Sequence, residues 1–244
     1  MYAKRLTREI DAMQRAVIAR LTADYVETPP HTTIVYGADA SPTAILTRAM
    51  NTMARRWLKR FDTLSVKLAA HFATSVRERN ETVLAAEMRA AGFTVRFRPS
   101  QAMNDAYAAV VDENVGLIKS IGEQHLTNVR TAVMQSVQTG RDIGTLTKRL
   151  EDIGGVSRRR AARIALDQNN RATAVMANAR YLSLGITRAK WLHSAGGKTP
   201  RPEHVAFSGQ PYSIAEGRDF DNGEGIVWPG TAINCRCVSV PILD

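Results

Sequence analysis

Cysteine is all but missing from this chain. The two present, Cys235 and Cys237, are separated by one residue. They are too close for an unstrained bridge and too few for a disulfide framework. They read as free thiols or metal ligands. Long apolar runs are also lacking, since none approaches the roughly 18 residues a membrane span requires. No membrane partner is expected. The first residues, MYAKRLTREIDAMQR, are charged and then amphipathic, without the apolar stretch of a signal peptide. The expectation is a protein made and kept in a cytoplasm. Acidic residues are in deficit, 23 Asp and Glu against 33 Lys and Arg. That deficit lies within residues 1–190, with 29 basic against 17 acidic side chains, whereas residues 191–244 carry 4 against 6. A basic body favours a polyanionic neighbour, either nucleic acid or an acidic protein surface, without implying that bases are read.

What is present is helical periodicity. Leu6, Ile10, Met13, Val17 and Leu21 recur at steps of three and four, predicting a helix over 3–26. ETPPHTTIVYGADASPT then breaks the pattern, as a linker with a short strand at Thr33–Tyr36. Ser41 followed by Pro42 is a fitting cap and first-turn pair. Leu46, Met50, Met53, Trp57, Phe61, Leu64, Leu68, Phe72 and Val76 continue as one apolar stripe toward Ala91, with Gly92 as a left-handed stop. FTVRFRP reads as a short strand or extended connector. A further helix is predicted over Gln101–Gln138, with Tyr107, Val111, Ile118, Ile121, His125, Val129, Val133 and Val137 as its stripe and Gly140 as its end. Next come a short helix at Ile143–Asp152, a Gly154–Gly155 junction, a cap at Ser157, and a helix over about 158–183 stopped by Gly185. Beyond residue 186, Gly, Pro, Asn and Trp replace the helical pattern, which predicts short strands and tight turns. The expected fold class is α+β, mainly α: long amphipathic helices followed by a small turn-rich, β-containing C-terminal module. The expected divisions are an N-terminal helix and linker arm at 1–40, a helical domain at 41–185, and the module at 186–244.

Candidate chemistry falls in two places. IGGVSRRRAARIAL offers a glycine turn with Arg158, Arg159 and Arg160, a candidate phosphate contact. An ordinary helix junction explains the same residues. His71 and His125 lie on or beside apolar stripes and read as core or boundary histidines, and His31 stands alone in the linker. The final fifth is denser. It holds both cysteines, Trp191, Trp228 and His204. His204, Cys235 and Cys237 are side chains that zinc accepts, with His193 or Asp221 as the fourth. Structural zinc sites ordinarily use C-x2-C or C-x4-C knuckles, so C-x-C alone leaves this open. A thiol hydrolase dyad of His204 with either cysteine has the right groups, but no helix N-terminus near AINCRC to lower a thiol pKa. The competing reading is a compact knot in which the cysteines pack as small apolar residues. No cofactor is expected on that reading, and zinc is the alternative.

Taken in order, Trp191, Arg201, Pro202, His204, Gly209, Trp228, Pro229, Gly230, Asn234, Cys235, Arg236, Cys237 and Pro241 form a signature that resembles the phage Mu F-like minor head proteins of tailed bacteriophages. The preceding RRAARIALDQNNRATAVMANARYLSLGI resembles the stretch leading into the same signature. Close similarity covers about residues 156–241. The resemblance implies a virion component at the portal vertex, needed for head assembly or DNA packaging and delivery, and not an enzyme. Portal protein, major capsid protein, packaged double-stranded DNA and further copies of the chain are the implied partners. It implies assembly in the host cytoplasm. Some members carry extra cysteines before the histidine that would complete a metal site; HSAGGKTPRPEH here has none. Arg201 and Arg236 are candidates for buried or interfacial hydrogen bonding, because guanidinium forks suit the carbonyls of turn-rich cores.

Overall fold

The computed structural model describes residues 2–27, 42–98, 100–138, 143–195 and 199–243. The expected strand at Thr33–Tyr36, the cap at Ser41, His31 and the stop at Gly140 lie outside the described residues. In chain order the elements are α1 (Tyr2–Glu27), α2 (Pro42–Ala90), α3 (Gln101–Gln138), α4 (Ile143–Ser183), β1 (Arg188–Leu192), α5 (Pro202–Ala206), β2 (Pro211–Ser213), β3 (Arg218–Asp219), β4 (Ile226–Val227) and β5 (Val238–Pro241). The α+β, mainly α class expected from the sequence is what is observed.

The chain forms two compact units that do not follow linear segments. One comprises residues 1–68 and 115–164, the other 69–114 and 165–244. The linear divisions at 40 and 185 mark where helix patterns change in the sequence; the packing instead cuts across α2, α3 and α4.

The first unit gathers α1 with stretches of α2, α3 and α4. Leu6, Ile10, Met13, Val17 and Leu21 are fully buried, so the predicted stripe is the packed face. Each such side chain contributes about 1.5–3 kcal/mol by leaving water. Phe61 lies against Gly122, where an added Cβ would come within 2.9 Å of the ring. Gln14 donates to the Leu150 carbonyl at 2.6 Å and crowds Gly154, where a Cβ would meet its Cδ at 3.0 Å. These two glycines let neighbouring helices approach closely.

This last contact corrects the expected helix junction at Gly154–Gly155. α4 runs unbroken through Gly154 and Gly155. Two glycines cost about 1 kcal/mol each in a helix interior, but close packing at Gly154 and the flanking turns hold the helix together. Ser157 is accordingly no cap: it is buried, and its Oγ meets Nδ1 of buried His125 at 2.9 Å. Burial pushes His125 down to about 4.

The second unit joins the remaining parts of α2, α3 and α4 to the C-terminal strands. Asn80 donates to the Thr173 carbonyl at 2.9 Å, and the hydroxyls of Thr74 and Tyr107 meet at 3.1 Å. Over this part of α3 the packed face is one position off the expected stripe: Met103, Ala106, Val110 and Asn114 are buried, while Tyr107 and Val111 are only half-buried. A polar residue displaced the apolar reading. Asn114 Nδ2 donates to the Val110 carbonyl at 2.8 Å and to Gln168 Oε1 at 3.0 Å, satisfying both buried amides.

α2 ends as expected. Gly92 has φ +87°, and the Phe93 amide reaches back to the Met88 carbonyl at 2.8 Å, closing the turn in the left-handed manner that glycine permits. Residues 93–98 form an extended connector without a strand. α4 is closed the same way at Gly185, with the Ile186 amide on the Tyr181 carbonyl at 3.0 Å.

Candidate functional site

β1 is the central strand of a three-stranded antiparallel sheet, ordered β2-β1-β5. Alternation along β1 turns Ala189 and Trp191 inward, both fully buried, while Arg188, Lys190 and Leu192 face out. Trp191 is the hub. Its ring lies 4.9 Å from His204, 5.2 Å from Phe220, 5.8 Å from Tyr212 and 6.1 Å from Phe207, in each case edge to face. Such pairs add about 0.5–1.5 kcal/mol beyond area burial. Leu84, Met88 and Tyr181 from α2 and α4 complete the same core.

The sequence itself places His204. Pro202 opens α5 with its φ pre-set for a helix. The helix is one turn long, and His204 is its buried residue. Arg201, just before it, donates through Nε and Nη2 to Glu224 Oε1 at 2.8 and 2.6 Å, and through Nη2 to the Ile233 carbonyl at 3.2 Å. These bonds tie the start of α5 to the segments carrying Glu224 and Ile233. From Cys235 to Cys237 burial alternates: both cysteines are turned inward, and Arg236 between them is exposed.

That alternation answers why the spacing is C-x-C. Residues i and i+2 of an extended segment share a face, so both sulfurs arrive on one side. Cys235 Sγ lies 3.6 Å from His204 Nδ1, and Cys237 Sγ 3.7 Å from the same nitrogen. The three ligand atoms fall within 4.8 Å of one another, all on buried residues. His193, just past β1, brings its Nδ1 to 3.7 Å from Cys237 Sγ. Asp221, the other candidate for a fourth position, is exposed with φ 56° and is not in the group. Hydrogen bonding between the two sulfurs holds Cys235 down, to about 5, and Cys237 up; burial raises Cys237 further. The amides of Cys237 and Gly230 face the Cys235 sulfur, and that of Ser194 faces Cys237. A hydrolase role for this pair meets a steric difficulty, since both sulfurs and His204 are buried and a nucleophile needs access.

The loop carrying the cysteines is pinned to α4. Asn170 Nδ2 donates to the Cys235 carbonyl at 3.1 Å, Arg171 Nη1 to the Thr231 carbonyl at 3.0 Å, and the Asn234 amide to Asp167 Oδ1 at 2.9 Å. Asn234 has φ 60°, a conformation that asparagine tolerates better than other residues with a side chain. Gly230 is obligatory: with φ +85°, a Cβ there would also lie 3.1 Å from the Cys237 carbonyl oxygen. Pro229 is buried beside it. Trp228 Nε1 donates to the Ile214 carbonyl at 2.8 Å. Gly209 has φ +85° and gives its amide to the Trp191 carbonyl at 2.6 Å. The sequence reading assigned no role to Asp167, Asn170 or Arg171. Their signal was there: three poor helix formers, Asp167, Asn169 and Asn170, close together inside a long helix.

The candidate phosphate arginines lie apart from this cluster in sequence and in packing unit. Arg158 pairs with Asp11 at 3.0 Å. Arg160 donates to the Ser120 carbonyl and hydroxyl at 3.1 and 3.2 Å, and Arg159 is exposed.

The family model described as Phage Mu protein F like protein matches residues 127–240. Over these residues the chain is similar to the Phage Mu F-like family. The matched stretch contains all of α4, the pinning residues Asp167, Asn170 and Arg171, and the C-terminal signature from Trp191 to Cys237. A relative from Haemophilus influenzae, described as an uncharacterized protein, is 34% identical over 148 residues, which is 60% of this chain and 32% of that protein. The chain therefore spans about a third of that relative's length. No solved structure matches the chain.

Proposed function

We propose that this protein is a minor structural component of a tailed-phage head, acting at the portal vertex in head assembly and in DNA packaging or delivery. The observation that carries this reading is the family match over residues 127–240. Support comes from what the signature residues do. Gly230, Asn234, Arg201 and Trp228 each hold a turn or a loop in place, and Asp167, Asn170 and Arg171 fasten the cysteine loop to α4. A conformation-defining motif of this sort suits a docking module, whose partner reads a fixed surface. Exposed apolar side chains on the module, among them Ile226, Ile233 and Val238, suit contact with portal, capsid or another copy of the chain.

The test is replacement of Asp167 and Asn170 by alanine in the phage that encodes the chain. Those changes release the cysteine loop while leaving the helices their apolar stripes. Particles lacking the protein, with assembly or infectivity impaired, support the proposal. Normal particles and infectivity without the wild-type protein overturn it.

A second reading rests on charge. The excess of 29 basic over 17 acidic residues across 1–190 suits non-specific contact with packaged DNA. It predicts binding that weakens steeply with salt and ignores sequence.

A further inference from the structure

We propose that His193, His204, Cys235 and Cys237 form a tetrahedral zinc site that clamps the C-terminal module. Zinc–sulfur bonds of about 2.3 Å and zinc–nitrogen bonds of about 2.0–2.1 Å, at tetrahedral angles, set sulfur and nitrogen ligands roughly 3.5 Å apart. The sulfur–nitrogen separations here are 3.6 Å for Cys235–His204, 3.7 Å for Cys237–His204 and 3.7 Å for Cys237–His193. Thiol–imidazole hydrogen bonding alone fits this arrangement poorly. An imidazole nitrogen has a single lone pair in the ring plane, yet His204 Nδ1 faces both sulfurs at nearly equal distance. One ion between the three atoms satisfies them all.

Charge points the same way. Two thiolates and a divalent zinc sum to zero, so the filled site costs no net buried charge. Softness selects the metal class, because paired thiolate and imidazole ligands suit zinc over calcium or magnesium. Neither cysteine has a disulfide partner elsewhere, and both are free in the structure.

The fourth ligand completes the argument. His204, Cys235 and Cys237 already lie mutually within 4.8 Å. His193 stands at their edge, half-buried, with its backbone amide fixed to Ser208 Oγ at 3.0 Å. With its backbone anchored and its Nδ1 already 3.7 Å from Cys237 Sγ, closing on the ion calls for rotation about its side-chain bonds. The ion then ties the end of β1, the one-turn α5 and the approach to β5, three segments joined otherwise by turns. This is the closed, four-ligand arrangement of structural sites rather than an open catalytic one.

The test uses the full chain, purified with its thiols reduced and loaded in turn with zinc and with cobalt(II). Elemental analysis is expected to give one zinc per chain. Cobalt is expected to give the intense visible bands of a tetrahedral thiolate site. Cys235→Ser with Cys237→Ser should abolish both. His193→Ala should weaken zinc by more than the roughly 10- to 100-fold that loss of an outer partner costs, and His193→Cys should restore tight binding with added sulfur-to-cobalt charge transfer. Because the double serine variant risks misfolding, His204→Cys serves as a second probe. It should keep the ion and shift the cobalt spectrum toward three sulfurs. Wild-type protein that takes up neither zinc nor cobalt overturns the site. A wild-type affinity and spectrum in His193→Ala overturns the fourth ligand.

Discussion

Gly116 and Gly122 lie less than two turns apart on α3, yet opposite effects are expected on replacing them with alanine. Among the described residues nothing stands within 4 Å of a Cβ at Gly116, whereas at Gly122 the Cβ would press on buried Phe61 at 2.9 Å. Gly116→Ala should therefore stabilise by about 0.5–1 kcal/mol, the backbone-entropy gain of leaving glycine. Gly122→Ala should destabilise by about 1–2 kcal/mol, overpacking outweighing that gain. Urea midpoints of the two variants check both signs. His125 supplies a pH test at the same scale. Its folded pKa is near 4, below the ordinary 6.5, because burial penalises the charged ring. The unfolded chain thus takes up the proton first. Stability from this group is complete above about pH 6.5 and is lost as pH falls toward 4. Between pH 7 and pH 5 the loss should be about 2 kcal/mol. His125→Leu should flatten that stretch of the stability curve; equal losses in wild type and variant would show that His125 is not buried neutral.

At the scale of elements, α1 and α2 were legible because their apolar steps of three and four are uninterrupted, and the stripe they trace is the buried face. α3 was legible in extent but not in rotation over its first half, since Asn114 occupies a core position that hydropathy assigns to solvent. Its partner Gln168 lies 54 residues away and is invisible to local hydropathy. α4 was misread as two helices. Glycines are local signals of a break, but the reason for Gly154 is a neighbour, Gln14, far off in sequence. The candidate site divides likewise. Its ligand types and the C-x-C alternation were readable, while the convergence of His204 with both sulfurs depends on the placement of α5 against β1. Helix continuity has its own test. Among the described residues, Gly155→Ala meets only the flexible ends of Arg159, at 3.4 Å, and Arg158, at 3.8 Å, and should raise stability by about 0.5–1 kcal/mol. A hairpin requiring glycine at that position would lose stability instead. Amide exchange protection should likewise run unbroken from Leu150 to Ala161.

For the whole molecule, charge and family similarity make separate predictions. The basic excess lies in residues 1–190, but part of it is already engaged: Arg60 with Glu9, Arg158 with Asp11, Lys119 with Asp62, and Arg171 with Glu113. Any DNA affinity should therefore be weak at physiological salt and rise at low salt, with no preference among sequences. Retardation assays at two salt concentrations read this directly, and affinity indifferent to salt would exclude the electrostatic mechanism. Loss of DNA binding would leave the head-protein reading intact, since that reading rests on residues 127–240 and on the pinned signature.

The measurement that bears most directly on that reading is quantitative mass spectrometry of purified particles from the phage that encodes the chain. The account predicts the chain in a few copies per particle, and its loss together with particle assembly when Asp167 and Asn170 are replaced. Particles that form normally and never contain it would contradict the account.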